Sequence, residues 1–161
     1  MQIIIMRHGE AQMTHQNDRD RQLTTYGTEQ SRQTAQWLNH YLCDANQRIE
    51  FALVSPFKRA QQTFRELNKW VDVEQELSSS DIVPSGDPDL VQAYIDYLIN
   101  EKSLNQSILL VSHMPLVSYL LDTLCNVSHS LLFATAALVI VDYDVSLQEG
   151  VLVGKYVPEP V

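Results

Sequence analysis

Apolar positions along the chain switch between two rhythms. Residues 2–6 (QIIIM) form a continuous apolar, β-rich run, as expected of a strand buried on both faces. Residues 10–22 are polar and read as a loop. Helical spacing then begins near Thr25 and runs to Leu42, with Ala35, Leu38, Tyr41 and Leu42 on one face. Residues 51–54 (FALV) are a second apolar run, ended by Ser55-Pro56. Ala60, Phe64 and Leu67 predict a helix over roughly 57–69. A weak third strand is expected near 71–77.

After a polar loop (SSSDIVPSGD), Asp87-Pro88 reads as an N-cap followed by proline at the first helical position. Leu90, Val91, Tyr94, Ile95 and Leu98 supply the stripe of that helix. Residues 107–111 (SILLV) predict another buried strand, ended by Ser112-His113-Met114-Pro115. Leu116, Val117, Leu120, Leu121 and Leu124 predict a helix after it. Residues 136–143 and 150–157 read as a hairpin joined near 146–149. No repeat, low-complexity tract or linker interrupts this alternation, so residues 1–161 are expected to form one α/β domain with a mostly parallel sheet and a final antiparallel hairpin.

Composition narrows the classes. Apolar residues make up 45% of the chain and charged residues 19%, ordinary for a globular protein. No apolar run reaches the roughly 18–20 residues of a membrane helix. No basic region precedes a long apolar stretch at the start, so a secretory signal is not expected. Cys43 and Cys125 are isolated, and two incidental thiols in a reducing cytoplasm is the simplest reading. The net charge of −9 argues against nucleic acid as a partner. An anion would need a local cluster of cations, so the position of each arginine matters.

In open α/β sheets, ligands bind beyond the carboxyl ends of the strands. Three such ends carry chemistry here. The first has Arg7, His8 and Gly9; the second Ser55, Lys58 and Arg59; the third Ser112 and His113. Brought together, two imidazoles and two guanidiniums suit a phosphoryl group. Guanidinium forks match phosphate oxygens, and a glycine lets backbone approach an anion. An imidazole nitrogen can attack phosphorus, and a second, protonated imidazole can offset the charge that develops.

Each residue alone has a plainer reading. A histidine at a strand end is usually a surface or satisfied core residue, and Arg59 alone could be a surface helix cation like Arg65 and Lys69. His15, His40 and His129 follow no buried strand and are read that way. His8-Gly9-Glu10 has the H-x-E form of zinc deaminases, but the required P-C-x-x-C is absent. No close His/Cys pair supports a metal or other cofactor, and no P-loop or G-x-S-x-G occurs.

The motifs taken together resemble a known family. Arg7-His8-Gly9 after the first strand, Leu23-Thr24-Thr25 with Gly27, Ser55-Pro56 through Arg59-Ala60 to Gln62-Thr63, and Ser112-His113 occur in the order typical of the histidine phosphatase (phosphoglycerate mutase-like) superfamily. Within it the chain is similar to the small bacterial SixA-type phosphohistidine phosphatases. Further points of similarity are Arg21 before Leu23-Thr24, Gly86-Asp87 before the third helix, and Phe133-Ala134-Thr135. Gln22 stands where that pattern has proline. The resemblance implies a three-layer α/β/α sandwich. It also implies His8 as a transiently phosphorylated nucleophile, with Arg7, Gly9, Arg59 and His113 around the phosphate and Arg21 as an auxiliary contact.

Two sequence features bear on the substrate. The 49 residues between Thr63 and His113 are used up by predicted sheet-and-helix elements, leaving no room for the helical cap of larger relatives. An open site is therefore expected, suited to a phosphate displayed on a protein. The position at which many relatives carry an acidic residue, counted from Gly86, is Ile82. Asp81 and Glu10 are the fallback acids. An alkoxide leaving group needs a positioned acid, whereas a phosphohistidine imidazole can leave neutral. The expectation is a cytoplasmic phosphohistidine phosphatase acting on a histidine phosphotransfer domain or a phosphocarrier. A generic phosphomonoesterase and a non-catalytic phosphoprotein-binding module are the alternatives.

Overall fold

A computed structural model describes residues 1–13 and 17–160; His15 lies outside the described residues. The strands are β1 (Gln2–Arg7), β2 (Ile49–Val54), β3 (Val73–Ser78), β4 (Ser107–Ser112), β5 (Leu138–Asp144) and β6 (Glu149–Tyr156). The helices are α1 (Thr25–Asp44), α2 (Lys58–Leu67), α3 (Pro88–Glu101) and α4 (Leu116–Cys125). The polar segment after β1 also contains a 3-10 turn over Asp18–Asp20, where only loop was expected. A second 3-10 turn covers Ser80–Ile82.

The sheet order is β3-β2-β4-β1-β5-β6. Strands β1 to β4 run parallel, while β5 pairs antiparallel with both β1 and β6. Side chains of a strand alternate between faces. Ile3 and Ile5 of β1 therefore join the core beneath α3 and α4, and Ile4 and Met6 join the core beneath α1 and α2. The same division holds for β4, with Ile108 and Leu110 on one face and Leu109 and Val111 on the other. The result is an α/β/α sandwich of three layers. Edge strand β3 lacks the apolar alternation of the others and is mostly exposed. Its Glu74 pairs with Arg48 Nε at 2.6 Å, and charge on an edge discourages pairing with another chain.

The connections fix where a ligand can enter. After β1 the chain passes to α1 on one face; after β4 it passes to α4 on the other. Yet β1 and β4 are adjacent and in register, Arg7 opposite Ser112. Neighbouring strands whose following helices diverge leave a crevice at their carboxyl ends. His8 and His113 are the first residues beyond those two ends.

Helix α1 is anchored close to this crevice. Thr24 caps it by accepting Gly27 N–H at 2.9 Å, and its hydroxyl donates to Glu10 Oε1 at 2.9 Å. The approach of the helix to the loop after β1 is tight on both sides. A Cβ on Gly27 would lie 2.0 Å from Glu10 O, and one on Gly9 would lie 2.4 Å from Gly27 O. Glycine at 27 is thus a packing requirement. Gly27→Ala should destabilise the fold by ~1–3 kcal/mol even though alanine favours helix by ~1 kcal/mol. Chemical denaturation would measure this, and an unchanged or raised midpoint would show that the contact is not tight.

Candidate active site

The backbone first sets the positions of the two imidazoles. His8 N–H extends the sheet ladder by donating to Ser112 O at 3.0 Å, and His8 O accepts from Ala136 N–H at 2.9 Å. The His8 and His113 rings lie with centroids 5.0 Å apart. Both are recessed, His8 being 6% exposed and His113 1% exposed. Among the described residues no helical subdomain is inserted between α2 and β4, in line with the expectation of an uncapped site. Its histidines nevertheless sit deeper than the word open suggests.

Hydrogen bonds define the state of His8. Its Nδ1 lies 2.7 Å from Gly9 O. A carbonyl can only accept, so Nδ1 carries the proton and Nε2 keeps a lone pair. Arg59 Nε donates to that Nε2 at 3.2 Å. His113 Nε2 lies 2.7 Å from Ser55 Oγ, and its buried Nδ1 has no hydrogen-bond partner among the described residues. Arg7 Nη1 donates to Phe133 O at 2.7 Å, while its buried Nε likewise lacks a partner among the described residues. Two buried polar atoms without partners beside a lone-pair nitrogen mark a place where a polar ligand would be bound.

Both histidines are held neutral. Burial pushes His8 down to about 3, and Arg59, Arg7 and Arg21 act in the same direction against the Gly9 carbonyl. Burial also pushes His113 down to about 2, with His8 and Arg59 adding to it. The expected protonated second imidazole is thus not what this environment favours. If Ser55 Oγ donates to Nε2, neutral His113 still offers Nδ1–H as a donor.

Other predicted residues are placed differently. Gly9 N–H is committed to Thr63 Oγ1 at 3.0 Å. Its missing Cβ makes room for α1, so the glycine serves helix packing. Arg21 donates from Nε to Gln12 O at 2.6 Å and from Nη1 to Asp18 Oδ1 at 3.0 Å. Its hydrogen-bonded link to Arg59, among the described residues, runs through Asp18. Glu10 is exposed and takes the Thr24 hydroxyl. Asp81 is exposed, and its carboxylate accepts from Ser79 Oγ at 3.4 Å. Ile82 is fully buried in the core, so its backbone position could not present an acid without burying a charge. Neither fallback acid bonds to an imidazole. Lys58 is exposed in the first turn of α2.

Three residues that the sequence reading did not single out complete the site. Phe57 packs edge-on against His113, with ring centroids 5.0 Å apart, and lies beneath the Arg59 guanidinium at 5.1 Å. Thr63 bridges Gly9 N–H and Arg59 O, donating to the latter at 2.8 Å. Asp18 accepts from both Nη atoms of Arg59. Thr63 and Phe57 lay inside a recognised motif; Asp18 lay in a loop whose sequence gives no periodicity to read. The described residues contain no group of three or more His, Cys, Asp or Glu that could hold a metal, and no helix long and apolar enough to cross a membrane.

Residues 3–80 match the sequence model of the Histidine phosphatase superfamily (branch 1). The chain is 40% identical over 150 residues to Phosphohistidine phosphatase SixA of Escherichia coli (strain K12), covering 91% of this chain and 88% of that one. It is 36% identical to a Phosphohistidine phosphatase SixA homolog of Haemophilus influenzae, covering 86% and 85% of the two chains. A solved structure of the protein histidine phosphatase SixA complexed with tungstate superposes with a TM-score of 0.88 at 38% identity, covering 98% and 97% of the two chains. With paired imidazoles at the β1–β4 crevice and relatives this similar along nearly their whole length, the chain belongs to the histidine phosphatase superfamily.

Proposed function

We propose that this chain is a phosphohistidine phosphatase that acts on a cytoplasmic phosphoprotein, a histidine phosphotransfer domain or a phosphocarrier, through a phospho-His8 intermediate. One observation carries the mechanism: Nδ1–H of His8 is fixed on Gly9 O, so Nε2 is the unprotonated nitrogen, and its lone pair accepts from Arg59 Nε at 3.2 Å, a donor that a phosphoryl oxygen would take over as Nε2 attacks. Tungstate is a tetrahedral oxyanion, so its presence in the complex of a similar protein supports a phosphoryl seat.

The first step forms a bond from His8 Nε2 to phosphorus and breaks the substrate's P–N bond. The departing imidazole keeps a proton on its other nitrogen, takes back the bonding electron pair and leaves neutral. Arg59, Arg7 and, with Ser55 Oγ donating to its Nε2, the Nδ1–H of His113 offset charge on the phosphoryl oxygens. Phosphorylated His8 carries positive charge, which the Gly9 carbonyl stabilises. In the second step water attacks phosphorus and His8 Nε2 leaves with its electron pair. The proton lost by water passes to phosphate or solvent. Neither departure requires a general acid, in keeping with the placement of Glu10 and Asp81.

A phosphomonoesterase reading requires a proton for an alkoxide. Among the described residues no carboxylate hydrogen-bonds to either imidazole. The module reading leaves unexplained why the lone pair of His8 faces the cations.

A panel of phosphohistidine proteins, phosphoserine peptides and sugar phosphates tests the assignment. Phosphohistidine should be turned over at least ~100-fold faster in kcat/KM than the esters, a gap of ~3 kcal/mol in transition-state stabilisation. His8→Ala should abolish turnover and the trapped phosphoenzyme. Comparable rates on phosphoserine, or activity surviving in His8→Ala, would refute it.

The histidine environments also make a pH prediction. In the unfolded chain both imidazoles titrate near ~6.5, whereas folding lowers them to about 3 and about 2. The unfolded state therefore binds more protons below ~6.5. The stability linked to neutral His8 and His113 is fully present above that pH and is lost as pH falls toward 3, by at most ~1.4 kcal/mol per pH unit for each. Denaturant unfolding at about pH 7.5 and about pH 5 should show the loss, and His113→Asn should flatten it. Equal pH dependence in the two proteins would contradict the buried neutral state.

A further inference from the structure

Arg59 is held from two sides. The planar guanidinium has an end edge, formed by Nη1 and Nη2, and a side edge, formed by Nε and Nη2. Nη1 donates to Asp18 O at 2.7 Å and Nη2 donates to Asp18 Oδ2 at 3.2 Å. Nε donates to His8 Nε2 at 3.2 Å. Asp18 thus takes the end edge and leaves the side edge toward the nucleophile.

The loop is built to present both acceptors of Asp18 in one direction. Asn17 caps the short turn by accepting Arg19 N–H at 3.0 Å, and Arg21 N–H closes it on Asp18 O at 3.3 Å. The second carboxylate oxygen, Oδ1, holds Arg21 Nη1. The Phe57 ring beneath the guanidinium restricts its remaining freedom. Exposure is unequal across the pair: the Arg59 side chain is 5% exposed and that of Asp18 57%. A surface carboxylate therefore orients a recessed cation.

We propose that Asp18 is a positioning residue for phosphoryl transfer, holding the end edge of Arg59 so that Nε and Nη2 face His8 Nε2 and the phosphoryl oxygens. The inference rests on the phosphatase reading for its reaction, but not for its geometry. Asp18 also binds Arg21, so a single carboxylate sets two of the cations around the site. Its negative charge partly opposes a phosphate dianion, and this gives the inference a distinctive signature. Loss of Asp18 should slow the chemistry without weakening anion binding.

Asp18→Ala and Asp18→Asn, both first checked for unchanged thermal unfolding, test this. Three readouts are compared with the unaltered chain: turnover of a phosphohistidine protein, inhibition by inorganic phosphate, and the nitrogen NMR shifts of the His8 imidazole. Turnover should fall roughly tenfold in Asp18→Ala and less in Asp18→Asn, which keeps an amide oxygen as acceptor. Phosphate should inhibit as well as before or better, because a nearby negative charge is gone. The His8 Nε2 resonance should shift as its Arg59 donor loosens. Turnover within about twofold of the unaltered chain in both variants would overturn the inference. So would faster turnover, which would mark Asp18 as a competitor for Arg59. Phosphate affinity lost in step with turnover, or an unmoved His8 resonance, would overturn it as well. If the unaltered chain releases phosphate from no phosphohistidine protein, the functional reading fails, while the His8 resonance and phosphate inhibition still decide the role of Asp18.

Discussion

The parallel pairing of β1 with β4 is the constraint on which the site depends. Arg7 opposite Ser112 fixes the register, and the bond from His8 N–H to Ser112 O carries the pairing one residue past the strands. A slip of one residue would turn every side chain of β1 to the other face. Ile3 and Ile5 would then leave the core under α3 and α4, and His8 would leave His113. Core burial on both sides of the sheet therefore holds the imidazole pair at its 5.0 Å spacing.

That rigidity has an electrostatic consequence. Arg7, Arg59 and Arg21 surround two recessed imidazoles, and the same burial that fixes the rings makes added positive charge unfavourable. The site responds by keeping both rings neutral and by placing one carboxylate, Asp18, on the outer edge of the cation cluster. The chain as a whole is acidic, with a net charge of −9. Attraction for an anion is thus local to the crevice, and in the proposed reaction a phosphate dianion would complete the charge compensation that the fold only partly supplies.

Much of this was legible in the sequence because burial on both faces leaves a strong mark. Ile3 to Ile5 and Ile108 to Val111 read as interior strands, which puts the residues after them at strand exits, and the buried runs match. Asp87-Pro88 announced the start of α3, and the cap is as expected. Edge strand β3 was faint because an exposed edge imposes little apolar pattern. The packing role of Gly9 is not legible for a different reason. Its neighbour in space, Gly27, is eighteen residues away in sequence, and no local pattern reports a contact between helix and loop. Asp18 was missed likewise, since the carboxylate acquires meaning only when its loop folds back over Arg59 from α2.

The absence of a bonded acid follows from the same geometry when the chemistry is considered as an exchange. In the proposed first step one imidazole–phosphorus bond is replaced by another, so donor and acceptor nitrogens have similar leaving ability. Little driving force is needed, and the barrier falls to alignment and charge compensation. A carboxylic acid near His8 would add nothing to a leaving imidazole that already holds a proton. As an ionised carboxylate there, it would repel the phosphoryl oxygens and pull His8 toward the protonated form, which cannot attack. The carboxylate is therefore better placed where Asp18 stands, behind Arg59, where it orients a donor without touching the nucleophile.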